Sequence, residues 1–350
     1  MTELRDRLVD GGYAAGWAVV RGMPQPLARA LFRLGADVGT RRGGRGVRQL
    51  RANLRRVIGP EPTEAELDAL VRVAVRSYAR YWMETFRLPV MPADTVLPRV
   101  HSIGSQHIDE AVQAGRGAIL ALPHSGNWDV SAVWLIARGY PFTTVAERLE
   151  PESLYNRFVA YREGLGMEVL PLTGGDRPPS DVLAERLRAG RVVCLVADRD
   201  LTRAGVEVDF FGETARMPAG AALLAATTGA ALLPVGLWFD RDATGQDSWG
   251  QWIHPPVPIP AEGRLRDRVR AATQSLADTF AADVAAHPAD WHMLQRLWLA
   301  DLPPRRPDGR AEPPVPPPGP AELADPVVLV EPAEPVVLVE PVEPVPGGEG

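Results

Sequence analysis

Between about residues 100 and 260 the chain repeats one motif: a short apolar run, then a segment with helical patterning. The runs "GAILALP" (117–123), "FTTVAE" (142–147), "MEVLPL" (167–172), "RVVCLVAD" (191–198) and "ALLPVGLWF" (231–239) have strand length, and several are apolar at consecutive positions. A strand apolar on both sides must be covered on both faces. The segments between them, 128–138, 151–163, 180–189 and 218–229, have the length of crossover helices. Strands alternating with such helices give an α/β fold, with a central mostly parallel or mixed sheet flanked by helices. One segment tests that reading, because residues 217–238 carry no charge and are long enough to cross a bilayer. Gly229, Pro234 and the diluting "ATTG" favour a buried helix followed by a buried strand.

The two ends differ from this core and from each other. Residues 1–56 hold 12 arginines against 4 acidic residues, and all 38 basic residues of the chain are arginine. Residues 11–35 mix Trp, Tyr, Leu and Val with spaced Arg, broken by Gly22, Pro24 and Pro26. No apolar stretch there approaches the roughly 20 residues of a spanning helix. Two readings fit: amphipathic helices lying on an anionic lipid surface, or ordinary helices packed on the core, and the charge excess favours the first. The expected organisation is one domain over 1–302, with 1–60 membrane-associating. After Leu302, Pro, Glu, Val and Gly dominate, and "PVVLVEPAE" is followed by "PVVLVEPVE". Prolines at that density exclude regular helix, so 303–350 reads as a disordered tail. The opening "MTELRDRLVD" lacks the apolar middle of an export signal. A single cysteine, Cys194, excludes a disulfide framework and a cysteine-rich zinc site within one chain.

The chemistry concentrates at "PHSGNWD", residues 123–129. His124 and Asp129 lie about 140° apart on one helix, so the histidine must precede the helix. Pro123 ends the strand, Gly126 permits a tight turn, and Ser125 or Asn127 is a suitable N-cap. Asp129, in the first turn, is then expected to reach back to one ring nitrogen of His124, leaving the other outward. That is the working part of a general base for a hydroxyl. The chain has no G-x-S-x-G element, so the hydroxyl would come from the substrate. A capping His–Asp pair at a plain helix start explains the same spacing.

Three of the proposed strands end in ionisable residues: His124, Glu147 and Asp198. In α/β sheets ligands bind in the crevice at the carboxyl ends of the strands, so three such ends together suggest a site. His124, Asp129, His287 and His292 supply metal-ligand types without any recognised metal spacing, and no glycine-rich phosphate loop follows a strand. No metal, no cofactor and no nucleic acid are therefore expected.

"HSGNWD" is similar to the His-x4-Asp signature of the glycerophospholipid-type acyltransferases, in the branch that includes lipid A biosynthesis acyltransferases. "VADRDLTRAGVEVDFFGETARMPAG" and "PADWHMLQRLW", in that order, resemble the actinobacterial phosphatidylinositol mannoside acyltransferases over roughly residues 1–302. The resemblance implies transfer of a palmitoyl-like chain from acyl-CoA, as co-substrate, to a mannose 6-hydroxyl of a phosphatidylinositol mannoside. It implies a peripheral enzyme on the cytoplasmic face of the cell membrane. His124 would be the base and Asp129 its partner, with Glu147 and Asp198 in relay or orienting roles. Ser125, Asn127, Arg162, Arg199, Phe211 and His292 would contact substrate. The turn at Ser125–Asn127 is a candidate oxyanion site, the uncharged helix and Phe210–Phe211 are candidate walls for the acyl tail, and Arg148, Arg199 or Arg203 could meet phosphates. Some family members carry Glu where this chain has Asp198, a longer acid with a different reach. Arg162 could instead be a helix-surface residue, and His292 a satisfied core histidine. Another lipid acceptor, such as a lipid A precursor or a lysophospholipid, and a non-catalytic lipid-binding protein remain as alternatives.

Overall fold

The computed structural model describes residues 16–148, 152–200 and 205–302. Seven strands form one sheet in the order β1(Val100–Ile103), β9(Asp247–Ile253), β8(Ala231–Arg241), β2(Ala118–Leu122), β5(Val192–Val196), β3(Phe142–Ala146), β4(Glu168–Pro171). All neighbours are parallel except β8 and β9, which are antiparallel. The five strands expected from the sequence are β2, β3, β4, β5 and β8. A separate antiparallel hairpin pairs β6(Val206–Phe210) with β7(Glu213–Met217).

Every residue of β2 is buried, as its unbroken apolar run requires. Ile119 and Ala121 face one core with α7(Pro179–Arg188), α8(Gly220–Thr228) and α9(Leu265–Ala286), whose Leu187, Ala222 and Phe280 are fully buried there. Leu120 and Leu122 face the other, with α4(Gln106–Gln113), α5(Trp128–Ala137) and α6(Glu152–Gly164). The uncharged stretch 217–238 resolves into the end of β7, α8 and the start of β8, with Gly229 at φ 78° closing the helix. No helix among the described residues is long and apolar enough to cross a membrane.

Ahead of the sheet, α1(Gln25–Arg42), α2(Arg45–Ile58) and α3(Glu64–Arg87) build a helical layer with its own core. Thr63 and Glu66 form a reciprocal capping box that starts α3. Not all of the basic N-terminal region is free to meet lipid: Trp17 is buried, edge-on to Phe86, and its indole donates to the Phe86 carbonyl at 3.0 Å. The expectations for residues 1–15 and for the tail 303–350 lie outside the described residues.

The link from β2 to α5 fixes everything at the strand ends. Gly126 sits at φ 56°, and a Cβ there would come within 2.9 Å of the Leu237 and Trp238 backbone. Its N–H donates to the Asp290 carbonyl at 2.9 Å. Only glycine meets both demands. Gly126→Ala is therefore expected to destabilise the fold by about 3 kcal/mol, combining left-handed strain with a backbone clash, as read by denaturant unfolding.

Candidate active site

The register of β2 against β5 decides who meets His124. Leu122 lies opposite Val196, so His124 and Asp198, each two residues further on, come opposite one another. The His124 ring Nδ1 lies 2.5 Å from Asp198 Oδ1, and the His124 backbone N–H donates to Oδ2 at 2.9 Å. Trp291 Nε1–H adds a third bond to Oδ2 at 3.0 Å. Asp198 is fully buried. Burial pushes its carboxyl up, but the neighbouring His124 charge and these donors together outweigh burial and hold it below the ordinary aspartate range. A carboxylate there assigns the proton to Nδ1 and leaves the Nε2 lone pair of neutral His124 unengaged. The His124 side chain keeps 30% of its surface exposed, at the mouth of a cavity of about 1270 Å³.

This corrects the expected His124–Asp129 pairing. Asp129 turns away from the histidine and accepts from Arg162 Nε and Thr85 Oγ1, each at 3.3 Å. A first-turn carboxylate is free to face either the preceding turn or the neighbouring helix layer, and the buried cation of Arg162 draws it to the latter. Burial works against the Arg162 charge, but Asp129, Tyr81 and Tyr161 together outweigh it and the guanidinium pKa is raised. Arg162 is accordingly no plain helix-surface residue.

Ser125 and Asn127, expected to contact substrate, are buried. Ser125 pairs with Trp291 in an isolated bridge, and its N–H is taken by the Pro123 carbonyl at 2.7 Å. Asn127 caps α5 by accepting from the N–H groups of Asp129 and Val130, and its amide donates to Glu84 at 2.8 Å. With the N–H groups of Ser125 and Gly126 both engaged, neither is available for an oxyanion. Phe211 stands at the β6–β7 turn at φ 55°, edge-on to Phe210 at 4.7 Å, and neither ring lines the cavity, which corrects their expected role as walls.

Glu147 and Arg199 do line it, facing each other at 3.7 Å. Burial raises the Glu147 pKa and lowers that of Arg199, against their mutual attraction. Among the described residues Arg199 Nε–H has no hydrogen-bond partner. His292 also lines the cavity, and its backbone N–H donates to the His124 carbonyl at 2.7 Å. Its Nε2 lies 3.0 Å from Ser77 Oγ, whose hydroxyl donates to Asp290 at 2.6 Å. Ser77 therefore accepts from Nε2–H, and Nδ1 is left as an unpartnered acceptor. Burial, with a smaller contribution from His124, pushes His292 down to about 3. Arg148 pairs with Glu152, and Arg203 lies outside the described residues.

Arg177, Asp181, Glu185, Arg188 and Asp200 also line the cavity, and most of the remaining lining is apolar. Leu120, Leu135, Phe142 and Met167 line it, as do Leu183 and, from the uncharged helix, Leu224. The contribution of α3 was not foreseen. Ser77, Glu84 and Thr85 are buried polar residues on its packed face, and Glu84 accepts from Arg80, Asn127 and the Trp249 indole. Polar residues at core positions of an amphipathic helix were the available signal.

A sequence profile described as "Bacterial lipid A biosynthesis acyltransferase" matches residues 7–300. The phosphatidylinositol mannoside acyltransferase of Mycolicibacterium smegmatis is 55% identical over 299 residues, covering 85% of this chain and 94% of the relative. That of Mycobacterium tuberculosis (strain CDC 1551 / Oshkosh) is 54% identical over 295 residues, covering 84% and 89%. A lipid A biosynthesis acyltransferase of Haemophilus influenzae is 24% identical over 251 residues, covering 71% and 73%.

The His292 environment predicts a pH effect on stability. Unfolded histidine binds a proton near 6.5, whereas folded His292 stays neutral down to about 3. The unfolded state therefore holds the extra proton in that window, and stability falls as pH drops from about 6.5, by about 1.4 kcal/mol per unit from this residue. His292→Gln, which keeps a donor towards Ser77 without titrating, should flatten the wild-type slope by that amount in urea unfolding series.

Proposed function

The chain belongs to the bacterial lipid A biosynthesis acyltransferase family, and from that membership we propose that it transfers a palmitoyl-like chain from acyl-CoA to the mannose 6-hydroxyl of a phosphatidylinositol mannoside. The His124–Asp198 pair at the mouth of a largely apolar cavity carries this reading. The high identity to phosphatidylinositol mannoside acyltransferases over nearly the whole described region supports the acceptor class.

In the proposed mechanism His124 Nε2 removes the proton from the acceptor hydroxyl as its oxygen attacks the thioester carbonyl carbon. Asp198 holds the ring in the required tautomer and stabilises the imidazolium that forms. The tetrahedral oxyanion collapses with cleavage of the C–S bond, and the departing thiolate takes the proton back from His124. The partner-less Nε–H of buried Arg199 is the donor best suited to the oxyanion, since a preorganised charge in a water-poor site needs no reorganisation. His292 Nδ1 accepts from a second hydroxyl of the sugar ring. Asp129 fixes Arg162 and the start of α5, a positioning role. The apolar reach between β2, α5 and β3 takes the acyl tail, which is excluded from water at about 25 cal/mol per Å².

A two-chain lipid acceptor is met at the membrane surface, and the arginine-rich N-terminal helices suit the anionic cytoplasmic leaflet as a peripheral contact. Purified protein with palmitoyl-CoA and a phosphatidylinositol dimannoside in detergent tests the reading by mass spectrometry. Wild type should add one palmitoyl mass. His124→Ala should lower kcat by about a thousandfold, and Asp198→Asn by a similar factor through the wrong tautomer, with KM little changed. Thioester consumption without an acylated mannoside would sink the acceptor assignment, and full turnover by His124→Ala would sink the base.

A further inference from the structure

A second cavity, of about 580 Å³, opens between α1, α2 and α3, away from the catalytic one. Five arginines and two aspartates line it. Arg76 makes a two-bond pair with Asp37, at 2.6 and 2.8 Å. Arg51 donates to Asp68 at 3.0 Å and also reaches Glu64. Arg48 donates to the Gly43 carbonyl rather than to a carboxylate. Arg41 and Arg72 form no hydrogen bond or ion pair among the described residues, and both are exposed. Three guanidinium groups without a carboxylate thus surround one hollow. Helix α2 starts beside them, and its N-cap, Gly44, has no side chain to accept from the first-turn N–H groups. That end adds partial positive charge. Planar guanidinium forks suit a tetrahedral oxyanion such as phosphate, and the hollow has room for more of a headgroup than the phosphate alone.

The helix that carries Arg41 says where such a phosphate would come from. Leu27, Leu31 and Leu34 of α1 are 56%, 49% and 60% exposed. With Val38 and Arg41 they follow the i, i+4, i+7, i+11, i+14 spacing, so all five fall within about 80° of one helix face. An unpaired apolar stripe on the water side of a helix has no use in solution. It leads directly to the cationic hollow, which is the order of apolar and charged layers at a lipid surface.

We propose that this cavity binds the phosphate of an anionic lipid headgroup, with Leu27, Leu31 and Leu34 resting in the apolar edge of the same surface. The site is distinct from the catalytic cavity, so it stands or falls independently of the acyl-transfer reading. Sedimentation of the full chain with mixed phosphatidylglycerol–phosphatidylcholine vesicles tests it. Arg41→Ala with Arg72→Ala should weaken binding about tenfold or more, and Leu31→Gln with Leu34→Gln should weaken it too. Arg266→Ala with Arg270→Ala, the same charge change on α9, should alter it less than about threefold. Arg41→Lys with Arg72→Lys should fall between wild type and the alanine pair, and it reads the same quantity should the alanine pair not fold. His124→Ala should bind vesicles as wild type does, which separates failure of this site from failure of the catalytic assignment. Equal losses in both arginine-to-alanine pairs would show a diffuse surface charge and overturn the site. Saturable binding of inorganic phosphate at Arg41 and Arg72 without any binding of anionic vesicles would overturn the lipid source.

Discussion

A fully buried carboxylate must be surrounded by donors or give up its charge, and Asp198 keeps its charge by drawing together three separated parts of the chain. The His124 backbone ties the end of β2 to the end of β5, the His124 ring closes the same link through its side chain, and the Trp291 indole brings in the segment after α9. That segment in turn supplies the Asp290 carbonyl to Gly126 and the His292 N–H to the His124 carbonyl. The turn carrying His124 is therefore bonded on both sides by main-chain contacts. A short acid suits this arrangement: the two oxygens of Asp198 serve a backbone N–H and a ring N–H of the same residue across one parallel strand pair. A longer side chain from the same Cα would have to fold back to make both bonds.

The parts of the fold legible in the sequence were those whose burial leaves no choice. β2, β3, β4, β5 and β8 are apolar runs between helices, and their order and approximate ends follow from that pattern. The edge strand β1 reads "VHSI" with alternate residues exposed, and β9 reads "DSWGQWI" with a glycine at its centre, so neither announces itself. The hairpin β6–β7 has a signal, the alternation in "VEVDF" and "ETARM" around Phe211–Gly212, but no crossover helix separates its strands, so the strand–helix alternation does not extend to it. That same hairpin is why Phe211 lies outside the cavity.

At the site, the strand-end rule picked out His124, Glu147 and Asp198, whereas sequence proximity mispaired His124 with Asp129. Spacing along one segment says which residues share a helix face, but not which strand lies alongside. The β2–β5 register, a long-range fact, selects Asp198. The same limit hid α3, whose Glu84 and Thr85 reach Asn127 and Asp129 from more than 35 residues earlier in the chain, and whose Ser77 meets His292. Their polarity on a buried helix face shows that they have partners without showing which.

Burial then divides the labour among the ionisable groups. Where several interactions converge the charge survives, as at Asp198 and Arg162. Where they do not, the neutral form gains: Glu147 shifts up, Arg199 down, and His292 down to about 3. A cavity that uniformly favoured ions would hold no group in reserve. One that keeps fixed charges behind His124 and loosely held ones in front of it would, on the proposed mechanism, respond to negative charge on a substrate oxygen, because Arg199, held by Glu147 at only 3.7 Å, stands to gain from a second partner at Nε. The burial that loosens Arg199 is also what an acyl chain needs, so on the proposed reading a single physical property, burial beside the β2, β3 and β5 ends, would serve both the chemistry and the binding of the tail.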